Sequence, residues 1–188
     1  IEGLEVAKTY TLEEKIAPNG FVKATSIQFK VESKTEIQKV TMIDKIVSVS
    51  KQNIAGDEIE GAKLRIENEN SEIVDSWTST KEPHIVNGLE EGKKYILYED
   101  YAPDGYVISN KIEFTVNKDK VNQEIKMIDK VVTITKENIT GKEVEGAKMR
   151  VVDEDENEID SWTSTKEPHK VNGLEEGKKY ILYEDYAP

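Results

Sequence analysis

Apolar and polar residues alternate in short runs along the chain. Ile46-Val47-Ser48-Val49-Ser50-Lys51, Ala62-Lys63-Leu64-Arg65-Ile66 and Lys94-Tyr95-Ile96-Leu97-Tyr98-Glu99 repeat every two residues, as do Ile112-Glu113-Phe114-Thr115-Val116 and Ile125-Lys126-Met127-Ile128-Asp129. That is the period of a half-buried strand. Turn signals separate the runs at Asn87-Gly88, Ala102-Pro103-Asp104-Gly105 and Asn117 to Lys120. In the second of these, Pro103 presets φ for a turn and Gly105 can take positive φ before the next strand. No segment carries a sustained 3.6-residue apolar stripe. The pattern predicts an all-β chain of compact immunoglobulin-like β-sandwiches, about seven strands each.

The runs recur at a fixed offset of 85 residues. Tyr-Ile-Leu-Tyr-Glu-Asp-Tyr-Ala-Pro occurs at 95–103 and 180–188, Met-Ile-Asp-Lys at 42–45 and 127–130, and Asp-Ser-Trp-Thr-Ser-Thr-Lys-Glu-Pro-His at 75–84 and 160–169. A period that long predicts an array of small domains. Residues 1–44 read as the C-terminal half of a repeat, 45–129 as a complete repeat, and 130–188 as the N-terminal two-thirds of another. From 75–103 to 160–188, 28 of 29 positions are identical, the exception being Ile85 against Lys170. Asp44 is followed at once by Lys45 and the next first strand, so neighbouring units are expected to stand end to end in a fixed relation. A chain that opens on Ile1-Glu2-Gly3 reads as a window on a longer array.

Composition narrows the function. The net charge of −12, spread along the chain, repels phosphate backbones and anionic lipid headgroups, which argues against nucleic-acid and membrane-surface binding. There is no cysteine to form a disulfide or a thiolate metal site, and no run of membrane-spanning length. A unit this small has a thin core, so its stability needs another source.

Strand alternation puts charges on apolar faces. Lys51 shares a face with Val47 and Val49, Glu99 with Tyr95 and Leu97, and Asp129 with Ile125 and Met127. The partial copies repeat the pattern: Lys136 with Val132 and Ile134, Asp44 with Val40 and Met42, Glu14 with Tyr10 and Leu12, Glu184 with Tyr180 and Leu182. The opposite face tolerates solvent, since Ile96 and Tyr98 become Thr11 and Glu13 in the first copy. Buried ions pair, coordinate something or neutralise. Alternation alone leaves open an ion pair at the rim of the sandwich.

The residues resemble the collagen-adhesin B-type (Cna B-type, prealbumin-like) repeats of Gram-positive surface proteins. The resemblance rests on Val-Ser-Val-Ser-Lys at 47–51, Glu60-Gly61-Ala62, Trp77-Thr78-Ser79-Thr80 and Val86-Asn87-Gly88-Leu89. It continues through Tyr-Ile-Leu-Tyr-Glu-Asp-Tyr-Ala-Pro-Asp-Gly-Tyr at 95–106, Phe-Thr-Val at 114–116 and Met-Ile-Asp at 127–129. It implies an intramolecular isopeptide bond between Lys51 and Asp129, promoted by Glu99. Glu14, Asp44, Lys136 and Glu184 are the partial-repeat equivalents. Amide formation needs a neutral amine and an electrophilic carbonyl, and an apolar site disfavours charged forms. A protonated Glu99 can polarise the Asp129 carbonyl and relay a proton as water leaves. Such a closure happens once per domain and is not enzymatic turnover.

The resemblance implies an extracellular, cell wall-anchored stalk whose partners are neighbouring repeats of the same polypeptide. Two other readings stay open: an adhesin module recognising a host or matrix protein, and a filament subunit in which Lys136 meets Asp44 of a neighbouring chain. No cofactor or metal is called for. His84 and His169 lack a second ligand at metal spacing and read as turn residues, and Trp77 and Trp162 read as core. Asn138-Ile139-Thr140 fits a glycosylation sequon weakly. No phosphate loop or His-containing triad appears, nor do sortase sorting or pilin linkage motifs.

Overall fold

The computed structural model describes residues 1–188, and fourteen strands make up its regular structure. No helix is long and apolar enough to cross a membrane. Residues 45–129 hold seven strands: β3 (Ile46–Asn53), β4 (Lys63–Asn68), β5 (Ile73–Thr78), β6 (His84–Ile85), β7 (Lys94–Tyr101), β8 (Ile112–Thr115) and β9 (Asn122–Asp129). β1 (Thr9–Leu12) and β2 (Ile27–Lys30) precede them. β10 (Thr133–Ile134), β11 (Lys148–Val152), β12 (Glu158–Thr163), β13 (His169–Lys170) and β14 (Ile181–Tyr186) follow.

The central seven strands form two sheets around one core. One is antiparallel in the order β5-β4-β7-β8; the other runs β6-β3-β9. β3 and β9, first and last in sequence, pair in parallel over eight residues. Both sheets contribute to a single cluster that includes Val47, Val49, Leu64, Ile66, Tyr95, Leu97, Phe114 and Met127. These are the inward positions of the alternation, so the five expected strands and their faces agree with the structure. The all-β expectation holds, and these two sheets pack as a β-sandwich.

The flanking segments differ from the centre in a way alternation does not anticipate. The expected strand over Val40, Met42 and Asp44 does not form, and Asp44 is exposed. β10 has only two residues where β3 has eight. The reason is pairing. β3 is laddered by β9 along its whole length, whereas β10 has β13 alone, and residues 37–44 have no first strand to lie beside. Residues 130–188 hold no counterpart of β8 or β9.

Candidate functional site

Lys51 and Asp129 are brought together by the parallel ladder. Lys51 faces Met127 in register, and Asp129 lies two residues further along β9, on the same face. A lysine side chain spans that diagonal, and Lys51 Nζ contacts Asp129 Oδ1. Glu99 approaches from the other sheet, where it is paired with Leu64 of β4. The β4–β7 register shifts by one between Lys63 and Leu64, an irregularity of the kind that re-aims a side chain. Glu99 Oε1 lies 2.8 Å from Lys51 Nζ. The site therefore ties the first strand, the last strand and the opposite sheet at one point.

Burial is nearly complete. Lys51 is 2% exposed, Asp129 0% and Glu99 7%. Each carboxylate has one oxygen anchored and one not. Glu99 Oε2 accepts the Ser109 amide at 2.7 Å, and Asp129 Oδ1 accepts the Ser109 hydroxyl at 2.8 Å. Glu99 Oε1 faces the amine off the angle a hydrogen bond needs, and Asp129 Oδ2 has no partner. Loss of solvent pushes the Glu99 carboxyl up to about 7, an effect only partly offset by Lys51 and the Ser109 amide. The site thus holds a carboxylic acid that can donate near neutral pH.

Two contributors escape the alternation pattern. Ser109 sits in the loop between β7 and β8, and its counterpart in the first copy is Ala24, so the repeat itself hides it. Glu58 lies in the loop after β3, contacts Ser50 Oγ and accepts the Lys51 amide at 3.0 Å. It holds the strand that carries the lysine.

The partial copies are not assembled in this way. Lys136 Nζ lies 2.9 Å from Glu184 Oε2, but their side chains are 29% and 31% exposed. Glu14 Oε2 accepts the Ala24 amide at 2.8 Å, matching Glu99 and Ser109, without a lysine beside it. Asp44 meets neither of them. No cluster of three or more His, Asp or Glu is placed to hold a metal. His84 is more than a turn residue: it stacks on Trp77 at 4.1 Å and meets Asp75 at 2.9 Å. Trp77 is half-buried and packs against the core.

With this geometry in view, residues 45–131 match the family model of the SpaA prealbumin-like fold domain. The central repeat is a prealbumin-like domain. Its two sheets are those of a prealbumin-like sandwich, as the resemblance to Cna B-type repeats implies. Among solved structures, the chain is similar to the Bacillus anthracis TIE protein, at 18% identity and TM-score 0.37, over 96% of this chain and 40% of that one. It thus spans about two fifths of that protein's chain. It is similar to the shaft pilin SpaA from Lactobacillus rhamnosus GG, at 12% identity and TM-score 0.39, over 77% of this chain and 88% of that one. The group B streptococcus pilus 2b backbone protein aligns at 14% identity and TM-score 0.39, over 56% and 44%. A comparison with curated proteins gave no match.

Proposed function

We propose that the chain is a stalk segment of a Gram-positive cell-surface protein, built of end-to-end prealbumin-like repeats. In the complete repeat an isopeptide bond between Lys51 and Asp129 closes the fold. The observation that carries this reading is the buried contact of Lys51 with Asp129, with Glu99 2.8 Å away from the opposite sheet. In the step, one ammonium proton of Lys51 passes to the Asp129 carboxylate it contacts, to be carried off on Oδ2; the amine Nζ so formed attacks Asp129 Cγ and a C–N bond forms. The C–O bond to Oδ2 breaks, and that oxygen leaves as water. Glu99 donates a proton to the departing oxygen and takes one from the amine, ending as it began. Oδ2 is the oxygen without a partner, so closure removes the one orphaned polar atom of Asp129. Ser109 steadies Oδ1, which stays behind as the amide oxygen.

The closed ring holds the 77 residues between Lys51 and Asp129. By analogy with disulfides, such a cross-link stabilises by about 4–5 kcal/mol through the unfolded state. Its mechanical effect is larger. Tension entering at Lys45 and leaving at Lys130 passes through the bond, so roughly 250 Å of chain is never released. The match of residues 45–131 to the SpaA prealbumin-like domain model supports a structural role outside the cell. Intact-protein mass spectrometry tests the proposal. A deficit of one water, placed by fragmentation on a Lys51–Asp129 branched peptide, is expected; the full theoretical mass from folded protein sinks it.

A further inference from the structure

The two joints between sequence repeats are built from the same parts. At the first, Gly20 N donates to Asn87 Oδ1 at 2.8 Å, Val22 N to Lys45 O at 2.8 Å and Lys23 N to Leu89 O at 2.8 Å. Glu91 N returns a bond to Lys23 O at 3.0 Å, and Glu91 Oε2 accepts Thr25 N at 3.0 Å. Eighty-five residues on, Gly105 N donates to Asn172 Oδ1 at 2.7 Å, Val107 N to Lys130 O at 2.9 Å and Ile108 N to Leu174 O at 2.8 Å. Glu176 repeats both roles of Glu91, with Ile108 O and Asn110 N. Glu91 also pairs with Lys45, and Glu176 with Lys130.

The joints extend into the cores. Val22 comes from the first sequence repeat, yet it is 1% exposed and belongs to the core cluster of the central one, with Val47, Val86 and Leu89. Val107 likewise joins Val151, Val171 and Leu174 of the next. Behind each asparagine is a fixed support. Asp75 Oδ2 accepts Asn87 N at 2.9 Å and meets His84 Nε2, which stacks on Trp77. Asp160, Asn172, His169 and Trp162 repeat this arrangement, with the Asp160–Asn172 bond at 2.8 Å and the stack at 4.2 Å.

We propose that the face carrying Asp75, His84, Asn87, Leu89 and Glu91 is a docking site for one partner, the Pro-Asx-Gly-aromatic-Val turn of the preceding repeat. The turn fixes the orientation of consecutive repeats and completes the core of the one it enters. The physical folding unit is then 18–25 with 45–129, staggered from the sequence repeat. Ala17-Pro18-Asn19-Gly20-Phe21-Val22 and Ala102-Pro103-Asp104-Gly105-Tyr106-Val107 are interchangeable turns, with φ near +83° at both glycines. Because every site receives the same turn, the Asp-Ser-Trp, Glu-Pro-His and Asn-Gly-Leu blocks recur unchanged. The joint also abuts the proposed bond, since Val107 N is bonded to the carbonyl of Lys130, next to Asp129.

The test is residue-resolved hydrogen exchange and thermal unfolding of the full chain carrying Val22→Ser, with Val22→Ala as the milder variant and Val121→Ser as a solvent-facing control. The informative amides are Val86 and Gly92. Their hydrogen bonds run to Val47 O and Val116 O inside the central repeat, not to any residue of the turn. Val22→Ser should raise their exchange about tenfold and lower the melting midpoint by roughly 5 °C or more. Val22→Ala should do the same at reduced size, and Val121→Ser should do neither. Faster exchange confined to 20–25, with Val86 and Gly92 as in the parent, overturns the proposal. The mass of the same samples reports bond closure separately, so a failure of either reading is recognisable.

Discussion

Lys51 with Glu99 and Lys136 with Glu184 are the same pair of residues in two copies of one sequence. The separations are nearly equal, 2.8 Å and 2.9 Å, but the first pair is sealed and the second is about 30% exposed on both sides. Leu97 is 0% exposed and its counterpart Leu182 is 46% exposed. Local sequence cannot be the cause, because 28 of 29 positions from 75–103 to 160–188 are identical. The difference is the presence of β8 and β9. β9 ladders β3 and brings the aspartate; β8 covers the outer edge of β7. The residue types supply the chemistry, and the closing strands supply the dry site that makes it possible.

The largest effect expected to separate the two copies is loss of the proposed cross-link. Lys51→Ala or Asp129→Ala should restore the missing water and cost about 4 kcal/mol or more, through the lost ring and the buried charge left behind. That is a fall of about 20 °C in melting midpoint for a unit of this size. Lys136→Ala should change neither mass nor midpoint measurably, because an exposed pair contributes little. Conversely, appending a second copy of residues 104–129 after Pro188 supplies the absent strands. A second water should then be lost, with a gain of about 4 kcal/mol in the C-terminal unit. An unchanged mass would mean that strand closure is not the controlling difference.

Truncating the same leucine in both copies isolates packing from chemistry. Leu97→Ala should cost about 3 kcal/mol by denaturant titration, within the range for fully buried leucines. Leu182→Ala should cost less than about 1 kcal/mol, since half its surface already meets water.

Titration probes the buried acid. The Glu99 carboxyl is raised from 4.5 to about 7, so the folded chain keeps a proton that the unfolded chain releases above about 4.5. Before closure, folding stability therefore falls as pH rises from about 4.5 to about 7, by about 1.4 kcal/mol per pH unit. Closure after refolding, followed by mass, should slow as pH rises through about 7, because the proton donor is lost. Glu99→Gln should remove this pH dependence along with most of the rate.

Much of this was legible in the sequence, for a physical reason. Alternation reports which face a strand residue occupies, so Lys51, Glu99 and Asp129 could be placed on inward faces before any contact was known. It reports nothing about loops, which is why Ser109 and Glu58 were missed. Nor does it report pairing partners, which is why a strand was expected at Val40 to Asp44. The joints were hidden differently. Val22 reads as part of the first repeat because it is covalently part of it, while its contacts belong to the second. The histidines read as turn residues because their partners, Asp75 and Trp77, are fixed by β5, which the alternation did not single out.

The smallest effect concerns the one position where the blocks 75–103 and 160–188 differ. Ile85 lies over Gly20 at the first joint, its Cγ2 within 3.5 Å of where a Gly20 side chain would begin. Lys170 covers Gly105 at the second with its aliphatic stem, Cδ at 3.0 Å from the same point. A lysine can lay its methylenes on an apolar spot while its ammonium stays in water. The two residues therefore present the same hydrocarbon surface to the turn, and Ile85 is already 47% exposed. Ile85→Lys, which makes the blocks identical, should shift stability by no more than about 0.5 kcal/mol and leave exchange at Val22 and Lys23 unchanged. A larger loss would mean that the branched side chain wedges the joint, and that the two joints differ in stiffness despite matching bonds.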